Sequence, residues 1–500
     1  MFRTIYENDA DITLTDEADT AIIQGNNDTV QGGLEDDWLT ASLRAGQPAE
    51  LSTVLSGGNG ADALHAALTV DGISYSEPED PGHVAATLSG GSGNDVVGID
   101  AASLYADQEL TASGGSGSDK IDIVSAFIYD VSESDHGEFD NHSAYIDVDG
   151  GTGSDTINVS VEQWTFGTVR IDGGSGDDEI NSANGENTIY GGDGDDHIAA
   201  LGQGSSAIDS WGRNTVYGGG GDDFLDLNAH GEFSTSNIAY GDGGEDTLNL
   251  YASGYEDISN VADGGAGDDK LSLSLFASGG LYYSASGSNE AHGGDGDDDV
   301  RLVIDLTSGE DYAPSYGYNT AYGDDGDDRL SATLTVDDMS GDQFRSELHG
   351  GDGDDRLSVR GGDGNSLFGN VGDDTLLGSS GADRLIGGQG DDYLRGRGGE
   401  DEFVFKAARS GERDQVADFH IGEDVIDLSD MDANAFRSGN QAFRFSGPDD
   451  WHGTGRVWLE DVGRTTTLVH IDTGRTEMTI ALLDGREVHA DDYGAGDFLL

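Results

Sequence analysis

Cysteine is absent from these 500 residues, which excludes disulfides, thiolate metal sites and cysteine nucleophiles. Basic residues are scarce: 23 Lys and Arg stand against 99 Asp and Glu, a formal net charge of -76. A surface this negative argues against nucleic acid and anionic lipid as partners. Hydrophobic residues make up only 35%, and no apolar run has the length needed to span a bilayer, so no membrane insertion is expected. The opening stretch MFRTIYENDADITLTDEADT lacks a basic region followed by an apolar core and a small-residue cleavage site. No N-terminal secretory signal peptide is expected there. With so much self-repulsion and so little apolar surface, the chain should stay expanded in water unless something neutralises it.

Glycine, by contrast, is abundant, at 81 residues, and it is not scattered. The pattern Gly-Gly-x-Gly-x-Asp-x-aliphatic starts at Gly57, Gly90, Gly114, Gly150, Gly173, Gly191, Gly218, Gly264, Gly293, Gly350 and Gly387. Close variants start at Gly32, Gly241, Gly323, Gly369, Gly378 and Gly396. Glycine belongs where the backbone turns with positive φ, which a Cβ resists. The sixth-position Asp brings a hard carboxylate oxygen, and the carbonyls of the turn bring more. Hard oxygens select calcium. The candidate ligands are therefore Asp37, Asp62, Asp95, Asp119, Asp155, Asp178, Asp196, Asp223, Asp246, Asp269, Asp298, Asp328, Asp355, Asp374, Asp383, Asp392 and Asp401. The turn glycines Gly173, Gly191, Gly218, Gly264, Gly293, Gly350 and Gly387 join them.

Each turn leads into an alternating segment such as Lys270-Leu-Ser-Leu-Ser-Leu275 or Thr156-Ile-Asn-Val-Ser-Val161. Period-two alternation buries one face of a strand. Two residues before the turns sit further inward candidates: Leu55, Leu88, Ala112, Val148, Ile171, Ile189, Val216, Ala239, Ala262, Ala291, Ala321 and Leu348. The repeating unit is turn, outgoing strand, variable excursion, returning strand. Between Gly57 and Gly350 only Gly173 to Gly191 shows the 18-residue period of a two-turn coil; its middle holds Asn187 where Asp would stand. The expected fold is all-β, a right-handed parallel β-roll or β-helix solenoid with long coils. Calcium-binding turns should run along one edge and variable loops along the other, until turns at Gly361, Gly378 and Gly396 alternate sides with the first row. The expected divisions are an N-terminal cap (1–24), a long-coil roll (25–360), a compact nonapeptide roll (361–402) and a C-terminal β cap (403–500).

These nonapeptides resemble those of the RTX (repeats-in-toxin, hemolysin-type) family. The resemblance implies calcium ions seated between adjacent turns of one row, roughly ten to sixteen in all. After Gly399 the texture changes. The segment Asp414-Gln-Val-Ala-Asp-Phe-His-Ile-Gly-Glu-Asp-Val-Ile-Asp-Leu-Ser429 resembles the stretch that follows the repeats in serralysin-type proteins. The ending Gly496-Asp-Phe-Leu-Leu500 looks like the uncleaved type I secretion signal of that family. What this implies is export by the type I secretion machinery, an extracellular or cell-surface location, and folding only where calcium is plentiful.

No catalytic motif is present. Neither His-Glu-x-x-His nor Gly-x-Ser-x-Gly occurs, which excludes the zinc protease and lipase arrangements. His136 and His142, with Glu138 and Asp140, form the densest histidine–carboxylate cluster, and without metal-ligand spacing it reads as a solvated loop. Pairs such as Asp177-Asp178 and Asp297-Asp298 are assigned to the turns rather than to acid–base chemistry, since glycosidase carboxylates must straddle a cleft. Loop residues Tyr282, Tyr283, Tyr312, Tyr316 and Tyr318 could stack on sugars, though covering the coil edge is the plainer role. The expected function is thus a secreted, non-enzymatic calcium-binding protein with a structural or interaction role, self-assembly included. Its alternatives are a carbohydrate-binding adhesin that takes extracellular polysaccharide, and a polysaccharide-active enzyme on a β-helix.

Overall fold

A computed structural model describes residues 2–6, 10–15, 17–24, 26–45, 50–70, 82–103, 106–127, 143–162, 166–203, 211–231, 234–278, 286–307, 316–336, 343–409, 411–447, 453–483 and 488–500. The histidine cluster at 136–142, and Tyr282, Tyr283 and Tyr312, lie outside the described residues. The chain divides into two compact units, Met1–Ser259 and Asn260–Leu500.

In the first unit successive strands alternate between two parallel sheets. One sheet runs through Trp38–Ala45, Ala63–Val70, Val96–Ser103, Lys120–Phe127 and Thr156–Val161 to Thr247–Gly254, every neighbour parallel. The other runs through Glu50–Asn59, His83–Ser92, Asp107–Ser116 and Ser143–Thr152 to Ser234–Gly243, again parallel throughout. Coiling begins upstream of residue 25: Phe2–Ile5 pairs with Thr20–Ile23, and Asp11–Thr13 with Asp28–Gln31.

The second unit repeats the plan. Lys270–Ser278, Asp299–Thr307, Arg329–Val336 and Arg356–Arg360 form one sheet, which shortens through Thr375–Leu377 and Tyr393–Arg395 to Arg413–Ala417. Ser286–Asp295, Tyr316–Asp325, Gln343–Asp352, Asn365–Val371 and Asp383–Gln389 form the other. Val425–Asp427 adds a last parallel strand beside Glu402–Val404, and past Asp427 the chain abandons coiling. Arg456–Asp461, Thr467–Asp472 and Glu477–Leu483 form an antiparallel meander, and its last strand seals against Arg413–Ala417.

Strict register explains the core. With equivalent residues stacked coil on coil, inward side chains form continuous rows. Leu39, Leu64, Val97, Ile121, Ile157, Ile180, Ile198, Leu225 and Leu248 make one row, and all are buried. The inward candidates from Leu55 to Leu348 are all at most 1% exposed. Burying each Leu, Ile or Val contributes roughly 1.5–3 kcal/mol, but several of these places hold only Ala. The apolar filling is thin, and the edges of the coils must add to it.

Candidate metal sites

The turns Gly57–Asp62 and Gly90–Asp95 show why the motif needs its glycines. Gly58 and Gly60 adopt φ of +108° and +119°, and Gly91 and Gly93 adopt +112° and +130°. The first glycine is required for a different reason: a Cβ on Gly57 would lie 2.2 Å from Asp62 Oδ2 and 2.5 Å from the carbonyl oxygen of Gly90. The variant turns keep the geometry with the residues best able to adopt it, because Asp242, Asp324 and Asn370 take φ of 70°, 77° and 80° in the second place.

The sixth-position aspartates form a buried ladder. Each Oδ1 accepts the backbone N–H of the equivalent aspartate in the coil before. In the first unit this runs Asp37 to Asp62 (2.6 Å), Asp62 to Asp95 (2.7 Å), Asp95 to Asp119 (2.7 Å) and onward through Asp155, Asp178, Asp196 and Asp223 to Asp246. In the second it runs from Asp269 through Asp298, Asp328, Asp355 and Asp374 to Asp392. The structure thus brings the predicted carboxylates of the first unit into one row, and those of the second unit other than Asp383 and Asp401 into another.

Oδ2 is the informative atom. In Asp62, Asp95, Asp119, Asp155, Asp178, Asp196, Asp223, Asp298, Asp328, Asp355, Asp374 and Asp401 it is buried and has no hydrogen-bond partner among the described residues. No lysine or arginine is ion-paired with any of these twelve there. Burial, first of all, pushes their titration up: Asp62, Asp95, Asp196 and Asp328 to about 6, Asp155, Asp178, Asp223, Asp298, Asp355 and Asp401 to about 7, and Asp374 to about 8. An unpaired buried carboxylate is expensive. Twelve at homologous places call for a shared counter-ion.

The local donors fit calcium. Asp62 Oδ2 and the Gly90 carbonyl oxygen converge on the space a Gly57 side chain would fill, and the pairs Asp178 Oδ2 with Gly191 O, and Asp196 Oδ2 with Gly218 O, repeat this beside Gly173 and Gly191. Among the described residues no three His, Asp or Glu side chains converge on one ion. The donor set of a turn is therefore one carboxylate and backbone carbonyls, all hard oxygens suited to calcium.

Two predicted ligands differ. Asp37 Oδ2 accepts the N–H of Gly33 at 2.8 Å, in the turn where Glu35 replaces the third glycine, and Asp383 Oδ2 accepts the N–H of Ser379. Both oxygens already have a donor. The second row expected at the compact end exists: Asn365 Nδ2 donates to Asp383 Oδ1, the Asp383 N–H to Asp401 and the Asp401 N–H to Asp424.

The ladders also reach residues that motif reading passed over. Asp19 donates its N–H to Asp37 Oδ1, and Asp392 donates to Asp414 Oδ1. Asp28 holds the Ala10 N–H on Oδ1 and carries a buried Oδ2 without a hydrogen-bond partner among the described residues. The nine-residue steps Ala10, Asp19, Asp28 and Asp37 were the available signal, as was Asp-x-aliphatic at Asp414-Gln-Val and Asp424-Val-Ile. The fifth-position acids form a second, exposed ladder, for example Asp195 N–H to Asp177 Oδ1 and Asp222 N–H to Asp195 Oδ1.

Fold and turns together define a parallel β-roll with oxygen-lined turns. A family model of the RTX calcium-binding nonapeptide repeat matches residues 24–42, 170–203, 210–229, 315–334, 333–365 and 368–403. The chain carries RTX calcium-binding repeats. Comparison with curated proteins finds no match to this chain. The turns at Gly57, Gly90, Gly114 and Gly150 fall outside the matched segments, yet they share the ladder and the buried Oδ2.

Proposed function

We propose that this is a secreted RTX protein whose folding is switched on by calcium, with a structural or interaction role outside the cell and no catalytic step of its own. The observation that carries this reading is the row of buried Oδ2 atoms without a hydrogen-bond partner. Calcium would sit between the turns, held by those carboxylates and the glycine carbonyls, and would supply the positive charge that the folded chain lacks. An ion that binds only the folded state stabilises it by RT ln(1 + [Ca]/Kd) at each independent site. Even about 1 kcal/mol from each of a dozen turns would match the stability of a whole domain.

Export by the type I route is supported by the serralysin-like segment Asp414–Ser429, which supplies the last ladder residues Asp414 and Asp424. In a calcium-poor cytosol the chain would stay unfolded and ready for export. The rings of Tyr190, Tyr217 and Tyr240 stack on one another at 4.9 Å along the outer face of one sheet. Their faces are spent on each other, so these rows serve the roll and not a sugar. The test is far-ultraviolet circular dichroism of chelator-treated protein during calcium titration, with magnesium as control. A cooperative, calcium-specific coil-to-β transition is expected. A chain fully β-folded in chelator would overturn the proposal.

A further inference from the structure

Opposite the glycine turns lies another buried row, made of amides. In the first unit Asn214 Oδ1 accepts from Asn187 Nδ2 at 2.7 Å, while Asn214 Nδ2 donates to the carbonyl of Asn228 at 3.0 Å and to Asn237 Oδ1 at 2.8 Å. In the second unit Asn289 Oδ1 accepts from Asn260 Nδ2, and Asn289 Nδ2 donates to the carbonyl of Val303 and to Asn319 Oδ1, all at 3.0 Å. Asn214 and Asn289 are each 1% exposed. Each amide bridges its own coil to a carbonyl 14 residues onward, and each also links to the coils before and after. The variable excursions leave and return at this neck.

We propose that this asparagine ladder closes the coils that carry it, from Asn187 to Asn237 in the first unit and from Asn260 to Asn319 in the second, without an ion, and thereby confines calcium there to the glycine-turn edge. The proposal rests on the calcium reading above and specifies which edge of each coil takes the metal. The two edges solve one problem with different chemistry. A carboxylate accepts hydrogen bonds but donates none, so on the glycine edge Oδ2 is left for a cation. An amide both accepts and donates, so on the excursion edge the side-chain oxygen and the neck carbonyl both find partners inside the protein.

The switch between the two is visible in the second unit. Where the coils tighten and glycine turns appear at Gly378 and Gly396, the row passes from Asn365 to Asp383 and Asp401. Asp401 Oδ2 again has no hydrogen-bond partner among the described residues, and a Cβ on Gly396 would lie 2.0 Å from it. Upstream of Asn187 the same register position is apolar, at Ala86, Leu110, Ile146 and Val169, and carboxylate enters the row with the turns at Gly378 and Gly396.

The test uses the full chain with Asn214→Asp and, separately, Asn289→Asp, reading bound calcium by equilibrium dialysis and melting temperature in saturating calcium. The number of ions should not change, and the melting temperature should fall by about 4–8 °C, since a carboxylate cannot replace the two donated hydrogen bonds. An additional bound ion with undiminished melting temperature would overturn the proposal. Should either Asp variant fail to fold, Asn214→Ser provides the same readout, because Ser346 occupies this row beside Asn319. A smaller drop with unchanged ion number supports the proposal, and an added ion or no drop overturns it. A wild type that folds without binding calcium would refute the calcium reading and, with it, the confinement. The ion-free closure would then stand or fall on the melting temperature measured in chelator.

Discussion

Asp223→Asn separates the two oxygens of one ladder carboxylate. The amide keeps Oδ1, so the N–H of Asp196 retains its acceptor at 2.7 Å. It replaces Oδ2, which has no hydrogen-bond partner, with an NH2 group that calcium does not accept. In the metal-free fold, burial pushes the Asp223 carboxyl from 3.8 up to about 7. Keeping it ionised above that pH costs on the order of 4 kcal/mol. Without calcium the substitution therefore favours the folded state. With calcium at a hundredfold excess over Kd, losing one site forfeits about 2.7 kcal/mol. For a unit of this size that lowers the melting temperature by roughly 5–10 °C. The sign of the effect reverses with the ion. Asp222 is the internal control: it is exposed, its Oδ1 holds the N–H of Glu245 at 2.8 Å, and Asp222→Asn should change the calcium-loaded melt little. Melts in calcium and in chelator, with calorimetric ion counting, decide the matter. An Asp223→Asn protein that binds as many ions as wild type and melts like it in both conditions would refute the assignment of Oδ2 to calcium.

Further outcomes follow from the same geometry. The ladder carboxyls titrate higher in the metal-free fold than in the unfolded chain, at about 6 to 8 against 3.8. The metal-free fold should therefore gain β-structure as pH falls from about 8 towards 5 and lose it as pH rises through about 7, while calcium affinity moves the opposite way; dichroism that does not respond to pH in chelator would contradict this. Gly191→Ala places a Cβ 2.3 Å from Asp196 Oδ2 and 2.5 Å from the Gly218 carbonyl, and should cost an ion and about 2 kcal/mol or more, whereas Gly220→Ala meets only Asp193 Oδ1 at 4.0 Å and should be mild in a parallel melt. Removing Phe403–Leu500 takes away the last ladder residues and the closing meander, and should raise the calcium needed for folding; an unchanged titration would show that this segment does not nucleate the roll.

The glycine turns were legible because three demands fall on one short segment: positive φ, a space no Cβ can occupy, and a carboxylate four or five residues on. Each leaves a residue type behind. The ends of the ladders left weaker traces. Asp19 and Asp28 sit at nine-residue steps but lack the paired glycines, so Asp19 fell in the expected cap and Asp28 in the roll without a role as a ligand. Asp414 and Asp424 keep only Asp-x-aliphatic. Asn187 was visible where an Asp would stand, but its role depends on a carbonyl 14 residues away and on the amide of the next coil, Asn214. The carbonyl is reached around the intervening glycine turn, but the next amide lies within reach only after the excursion has returned, and no local pattern fixes the length of that excursion.

Why a chain should carry this much charge into its own fold is a question of distance. Stacked ladder aspartates are one strand spacing apart, about 4.8 Å. Two ionised carboxylates at that distance repel by about 1 kcal/mol in water and roughly 3–4 kcal/mol at the effective dielectric near a protein surface. Each added coil brings one more such pair, while its returning strand gives the core only an alanine at Ala239, Ala291 and Ala321, beside the aliphatic residues of its outgoing strand such as Leu248, Val300 and Leu330. Lengthening the roll therefore adds a repulsion that offsets the core gain in the metal-free fold and that bound calcium removes. An apolar core would have the same sign under all conditions. A ladder of aspartates makes stability conditional on the ion, and the asparagine row opposite keeps that condition from applying twice to the coils that carry it.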